Sequence, residues 1–509
     1  MILLLSAVAI TSPAQQADRY LEHFKSWVRT IGSDEFGGRK PMTPYEDKTV
    51  GYLAGEFAKL GLEPAFNGSW IQEMEMISVT VHPEKGIIPV KTSKGRMALA
   101  NQDDFIIWTA RATDRVELKD AGFVFCGFGI DAPEYGWNDF EGIDLQGKIV
   151  IAMVNDPGFY DASLFRGRNM TYYGRWTYKF EEALRKGAAG CLVLHNEAAA
   201  SYDWGVCVNG HIEDNLWLFD NASGNMGELA VKGWLHEDAC RRLFEKSGMN
   251  FDEVLAKAKR PGFKPLVLNA KADIKLDVEY EIGVTRNVAA VLPGTDRKDE
   301  CVVFSAHWDH LGVGKPDESG DTIYNGAADN GSGLASILMI AEKMKELPAT
   351  RRSILFLAPT SEESGLFGSQ YYCEHPAFPM DKTAACINFD CVAPAPLTND
   401  ITVLKEMDTV LDPLLQASAT AQNRKIVFDN DNSDGWYYRS DHFNFVKKGV
   451  PAVVVKYGEE LADPAKENRY PQPDWYHRPN DEYREDWDFE GTMANVNLML
   501  AVGLLLANQ

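Results

Sequence analysis

Several residues able to bind a metal or move a proton follow directly on short apolar runs. Val302 to Ala306 runs into His307-Trp308-Asp309, Ile354 to Ala358 into Ser361-Glu362-Glu363, and Ala384 to Phe389 into Asp390. Between the first two, Asn325-Gly326-Ala327-Ala328-Asp329-Asn330-Gly331-Ser332-Gly333 sets an acid in a glycine-rich turn ahead of a helical pattern. A late Tyr476-His477-Arg478-Pro479-Asn480-Asp481 loop offers a second histidine. Carboxylates crowded at one buried edge repel one another unless something positive sits among them. A pair of divalent cations meets that need: mixed imidazole and carboxylate donors suit Zn²⁺, and one carboxylate can bridge two ions about 3.5–4 Å apart. Adjacent acids on an irregular turn point in different directions. One of Glu362 and Glu363 can therefore ligate metal while the other takes a proton from water.

Those runs also indicate the elements that must position the acids. They lack alternation, as strands buried on both faces of a parallel sheet do, and helical stretches such as Gly333 to Leu347 lie between them. The expected fold class is α/β, with a mostly parallel central sheet flanked by helices. Open sheets of this kind bind ligands outside the carboxyl ends of their strands, which is where the His and acid residues gather. Near the start, Leu21, Phe24, Val28 and Ile31 repeat at helical spacing. Thr43-Pro44-Tyr45-Glu46 reads as a capping box opening a second helix, whose stripe is Val50, Leu53, Phe57 and Leu60 and whose stop is Gly61. From about 105 to 285 the texture becomes β-rich, with short runs such as Gly122 to Ile130, Lys148 to Val154 and Cys191 to Leu194.

Composition narrows the function classes. The 509 residues are 45% hydrophobic and 25% charged, as ordinary globular chains are, and the length allows about three domains. There are 51 basic and 74 acidic residues, a net charge of −23 with no local basic patch, which argues against nucleic acid or anionic lipid as a partner. Ile2 to Ile10, followed by Thr11, Ser12, Pro13 and Ala14, reads as a secretory signal without its basic start, so an exported protein, periplasmic or extracellular, is expected. That run and the apolar Leu498 to Ala507 are both shorter than the roughly 20 residues that span a bilayer; the latter reads as a core helix. The eight cysteines show no CxxC spacing, and Cys126, Cys191, Cys301 and Cys386 sit in strand-like runs as buried thiols.

Taken together, His307-x-Asp309, Asp329 in its Gly-Ala-x-Asp-Asn-x-Ser-Gly setting, Glu362-Glu363, Asp390 and His477 resemble the co-catalytic two-zinc aminopeptidase family. That family includes secreted bacterial leucyl aminopeptidases and, more distantly, glutamate carboxypeptidase and the transferrin receptor. The resemblance covers 286–509 and the N-terminal helices. Segment 105–285, notably Asp144-Leu145-Gln146-Gly147-Lys148-Ile149-Val150 and Ala183 to Asn196, resembles an inserted protease-associated domain. The implied layout is a signal peptide at 1–16, a helical part of the catalytic domain at 17–104, the insertion at 105–285 and the zinc peptidase domain at 286–509.

The resemblance implies two Zn²⁺ per chain and peptide substrates cut at their amino ends. One zinc would sit on His307 and Asp390, the other on Glu363 and His477, with Asp329 bridging. Glu362 would be the general base, and Asp309 would hydrogen-bond His307 and fix its tautomer. Three other readings stand beside this one. A carboxypeptidase or dipeptidase acting on acidic peptides would need arginines near the metals, for which Arg424, Arg439, Arg469 and Arg478 are available. A glutaminyl cyclase would use one zinc on the same fold. A receptor without turnover would have lost ligands that are all present here. His23, His82, His195, His211, His236, His310 and His375 receive a structural reading. Ser440-Asp441-His442 resembles a family segment on the active-site side, either shaping the substrate pocket or capping a helix.

Overall fold

The computed structural model describes residues 13–209, 215–392, 394–429, 432–467 and 475–509. The apolar run Ile2 to Ile10, His211 and Arg469 lie outside these residues. Two compact units divide the chain. Glu75–Val284 with Asn430–Arg439 make up one; Met1–Met74, Thr285–Asp429 and Ser440–Gln509 make up the other. The inserted unit thus starts at Glu75, ahead of the change of texture near 105. Residues 87–100 already form a strand hairpin, Ile87–Thr92 against Gly95–Ala100.

In the insert, β1 (Phe105–Trp108), β2 (Arg115–Phe125), β3 (Ile149–Met153), β4 (Gly190–His195) and β5 (Val231–His236) share a sheet. β2, β3, β4 and β5 lie side by side and parallel, and β1 runs antiparallel against β5. Alternate residues of β3 enter two cores. Ile149 and Ile151 join Leu243 and Phe244 of helix Glu237–Lys246, while Val150 and Ala152 join Phe180 and Ala183 of helix Trp176–Arg185. The run reads as purely β in sequence because a strand covered by helices on both faces shows apolar residues without a break.

In the other unit, the end of β6 (Leu266–Leu292) pairs antiparallel with β8 (Arg352–Ala358). β7 (Arg297–Ser305) lies parallel between β8 and β9 (Thr383–Asn388). Beyond β9, β12 (Ala452–Lys456) is also parallel, with β10 (Asp400–Leu404) antiparallel to it and β11 (Lys425–Asp429) outermost. Val302 and Phe304 face a core with Phe24, Leu334, Ile337, Val496 and Val502; Cys301 and Val303 face another with Tyr372 and Phe445. The α/β sheet flanked by helices is therefore present, with its parallel strands at the centre. The last helix, Glu490–Ala507, is longer than its apolar stretch and buries Leu498, Met499 and Val502 in this core.

Local details differ from the sequence reading in two places. Residues 13–16, grouped with the leader, form the first turn of helix Pro13–Ile31, and Gln16 Nε2 donates to Glu346 at 3.0 Å. The capping box at Thr43 does not close: Thr43 Oγ1 donates to Lys40 O at 2.7 Å. Glu46 is drawn away into a buried network, accepting from Met42 N at 2.7 Å, Thr285 Oγ1 at 3.0 Å and Arg286 Nε at 2.9 Å. All eight cysteines are free thiols, seven of them buried.

The last helix presses closely on the sheet: a Cβ on Gly503 would stand 2.3 Å from Phe304 Cζ. Gly503→Val is expected to cost about 1–3 kcal/mol through overpacking, read as a lower denaturant midpoint. An unchanged midpoint would contradict the close approach of Gly503 to Phe304.

Candidate metal centre

The seven residues expected to ligate metal, act as base or support a ligand come together near the carboxyl edge of the parallel strands. His307 follows β7, Glu362 and Glu363 follow β8, and Asp390 follows β9. Asp329 sits in the turn before helix Ser332–Lys345, and His477 in a loop ahead of the last helix. His307 Nε2 lies 3.3 Å from Asp329 Oδ1 and 3.4 Å from Asp390 Oδ1. His477 Nε2 lies 3.4 Å from Asp329 Oδ2 and 3.1 Å from Glu363 Oε2. The two oxygens of Asp329 thus face two different histidines, each with a further carboxylate beside it. Ser361, Cys391 and His477, flanking or forming the cluster, hold left-handed φ angles of 53°, 49° and 56°. Such conformations persist for non-glycine residues where the surroundings over-determine them, as they do at functional sites.

Burial opposes charge throughout this cluster, so each group's charge state is decided by its neighbours. Burial disfavours the His307 imidazolium, but Glu362, Asp329 and Asp390 outweigh it and lift the group well above the usual range. Burial likewise opposes charge on His477, yet Glu363 and Asp329 raise it to about 10. Against the same penalty, His307 and His477 hold Asp329 well below its ordinary value. His477 and His310 bring Glu363 down to about 2 despite burial and Asp329. Glu362 goes the other way. Burial raises it, His307 opposes, and Asp390 and Glu363 add repulsion, so it binds a proton far more tightly than a free glutamate.

The donor set fits zinc. Asp329 Oδ1 and His477 Nε2 are buried without a hydrogen-bond partner, and they face each other's carboxylate and imidazole neighbours. Imidazole nitrogens and carboxylate oxygens within 4.8 Å of one another recur as His307 with Asp329 and Asp390, and as His310 with Asp329 and Glu363. Such mixed nitrogen and oxygen sets are what Zn²⁺ takes.

The comparisons with known proteins bear on the same segment. Residues 287–501 match the profile described as peptidase family M28. Aminopeptidase YwaD of Bacillus subtilis (strain 168) is 25% identical over 481 residues, 93% of this chain and 82% of that one. A probable leucine aminopeptidase 2 of Aspergillus oryzae is 28% identical over 203 residues, 38% of this chain and 37% of that one. Among solved structures, the aminopeptidase from Aneurinibacillus sp. strain AM-1 shares the fold at 18% identity, with a TM-score of 0.51 over 96% of this chain and 93% of that one.

Within the matched segment, Asp309 acts differently from the sequence expectation. Its carboxylate is 3.8 Å from His307 Nδ1, too far for a hydrogen bond. The group 3.1 Å from His307 Nδ1 is the backbone carbonyl of Asp309, which accepts the Nδ1 proton and leaves Nε2 for the cluster. The carboxylate instead accepts from Glu362 N at 3.0 Å and Glu363 N at 3.3 Å, so it aims the two glutamates. Asp441 is fully buried, but its side chain gives no cap to helix His442–Lys447. Arg424 is used up structurally, donating to Thr398 O, Asp400 O and Asn495 Oδ1. Arg439, in the other unit, donates to Asp434 O.

Three residues that hold this centre in shape escape sequence reasoning. His310 Nδ1 lies 2.8 Å from Glu363 Oε1, so it belongs to the centre instead of being a structural histidine. Asp481 accepts from Ala328 N and Asp329 N, both at 2.9 Å, and fixes the turn that carries Asp329. Arg39 is completely buried and donates to the carbonyls of Trp308, Ile31, Asn325 and Gly326 at 2.5–2.9 Å. Burial lowers its pKa to about 10, with Asp481 and Asp329 opposing. The signal for Arg39 was the preceding Gly37-Gly38. A Cβ on Gly38, at φ +65°, would stand 2.4 Å from Tyr324 O, so the chain passes there against another backbone.

Asp481→Asn keeps the shape but loses one acceptor for the two amides. It is expected to weaken metal binding about 10–100-fold, measured by competition with a chelator. Metal affinity equal to the parent's would remove Asp481 from the support of the Asp329 turn.

Proposed function

We propose that the protein is an exported two-zinc aminopeptidase that removes residues from the free amino end of peptides. The observation that carries this reading is Asp329, whose Oδ1 faces His307 and whose Oδ2 faces His477, the geometry of a carboxylate shared by two ions. His307, Asp390 and Asp329 would hold one zinc; Glu363, His477 and Asp329 would hold the other. Bound zinc lowers the pKa of water and polarises the scissile carbonyl. The chain's own residues do the rest. Glu362, ionised once the charge of the cluster is neutralised, takes the proton of the attacking water as its oxygen bonds to the carbonyl carbon. Glu362 then gives that proton to the departing amine as the C–N bond breaks. Asp309 keeps Glu362 and Glu363 on their separate tasks through the two amides it accepts.

The arginines that could receive a C-terminal carboxylate are committed elsewhere: Arg39 and Arg424 both donate to backbone carbonyls. Relatives with aminopeptidase names, two of them given above, support action at the amino end of the peptide. The apolar run Ile2 to Ile10 supports export, and the Asp144 to Val150 and Ala183 to Asn196 segments support a protease-associated insertion.

Metal content and a panel of free and N-blocked peptides test the proposal together. Two zinc ions per chain and cleavage of free amino ends alone are expected; activity confined to blocked or C-terminal substrates would overturn the reading. Glu362→Gln is expected to abolish turnover, a loss of about 10²–10⁴-fold or more, with both metals retained. Asp329→Asn is expected to lose metal and activity together, and retention of two ions would sink its bridging role.

A further inference from the structure

The insert holds a cavity of about 320 Å³. β3, β4 and β5 run parallel, and Met153, Leu194, Asn196 and Glu237, at or just past their carboxyl ends, all line it. The crevice outside the carboxyl ends of parallel strands is where α/β sheets take ligands. Its size lies at the small end of the roughly 300–1,000 Å³ found for small-molecule sites. Leu255 of helix Phe251–Ala258 and Lys259 just beyond it also line it.

The charges in this cavity are incompletely used. Lys259 Nζ stands 3.9 Å from the centroid of the Tyr160 ring and makes no ion pair among the described residues. Glu237 Oε2 accepts from Asn196 Nδ2 at 2.6 Å, while its Oε1 has Arg241 only at 3.8 Å. Arg241 is committed to Asp252 at 2.7 Å, and Asp252, which also lines the cavity, spends its charge on that pair. An available cation, a half-used anion and the aliphatic surface of Met153, Leu194 and Leu255 therefore share one small space. A simple anion would satisfy Lys259 and face Glu237; a simple cation would do the reverse. Only a molecule carrying both charges and an apolar group satisfies all three.

We propose that this cavity binds a free aliphatic α-amino acid or dipeptide, with its carboxylate on Lys259, its ammonium on Glu237 and its side chain against Met153, Leu194 and Leu255. In substance this deepens the proposed function, since such a molecule is what that reaction releases, but the binding is read without turnover and stands or falls separately.

Isothermal titration of the full chain with L-leucine is the test, with N-acetyl-leucine lacking the ammonium and leucinamide lacking the carboxylate. Wild type is expected to show a leucine-binding event that survives metal chelation and is lost with either derivative. Lys259→Met and Glu237→Gln should each weaken that event about tenfold or more while peptide hydrolysis at low product concentration stays unchanged. Ala256→Trp, at an exposed position on the cavity wall, should block it by filling the space. Leucine binding untouched by all three substitutions, or present only at the metal centre and lost on chelation, overturns the proposal. Intact leucine binding in a protein that cleaves no peptide would overturn the proposed function and leave this inference standing.

Discussion

Buried like charge is the constraint on which the rest of this structure depends. Asp309, Asp329, Glu362, Glu363 and Asp390 meet within one cluster, and no fold keeps such a group ionised and buried without cations among them. Imidazoles alone leave the account unbalanced: His307 and His477 are driven to hold protons, and Glu362 is driven to hold one as well. Two divalent ions in place of those protons would neutralise the cluster and free Glu362 to cycle a proton. The parallel sheet brings the acids together because its strand ends lie side by side, so residues far apart in sequence become neighbours at one edge.

Holding that edge in shape falls to groups that never need to touch substrate. Asp309 spends its carboxylate on the amides of Glu362 and Glu363, so the divergence of those side chains is fixed by backbone and not by chance rotamers. Asn330 Nδ2 donates to Phe389 O at 2.8 Å, tying the Asp329 turn to the strand end that carries Asp390. Asn388, one residue earlier, donates to Ser440 Oγ and accepts from Ser305 Oγ, both at 2.6 Å. The centre thus rests on short polar contacts between adjacent strand ends, where small shifts would misplace a donor atom.

Much of this was legible in the sequence, for a physical reason. A strand buried on both faces leaves an unbroken apolar run, and the residue that ends it is placed at the sheet edge; His307, Glu362, Glu363 and Asp390 could be read that way. Asp329 was legible from its glycine-rich turn. The partners of these residues were not. Asp309 looked like a support for His307 through its side chain, whereas its carbonyl does that work, because backbone acceptors leave no trace in residue type. Arg39, Asp481 and His310 act through contacts spanning long stretches of chain, and apart from the Gly37-Gly38 pair ahead of Arg39 nothing local marks them. The insert misled in texture for the same reason the sheet edge was readable. Its apolar runs are parallel strands under helices, and their order cannot be seen from runs alone.

Arg39 and Asp481 grip the same turn from nearly opposite ends of the chain: Arg39 through the carbonyls of Asn325 and Gly326, and Asp481 through the amides of Ala328 and Asp329. During synthesis, at about 5–20 residues per second, the turn carrying Asp329 emerges long before its second clasp does. A nascent chain therefore carries most of the acids but no finished centre until His477 and Asp481 have emerged as well. The order of translation itself delays the centre until its second clasp arrives.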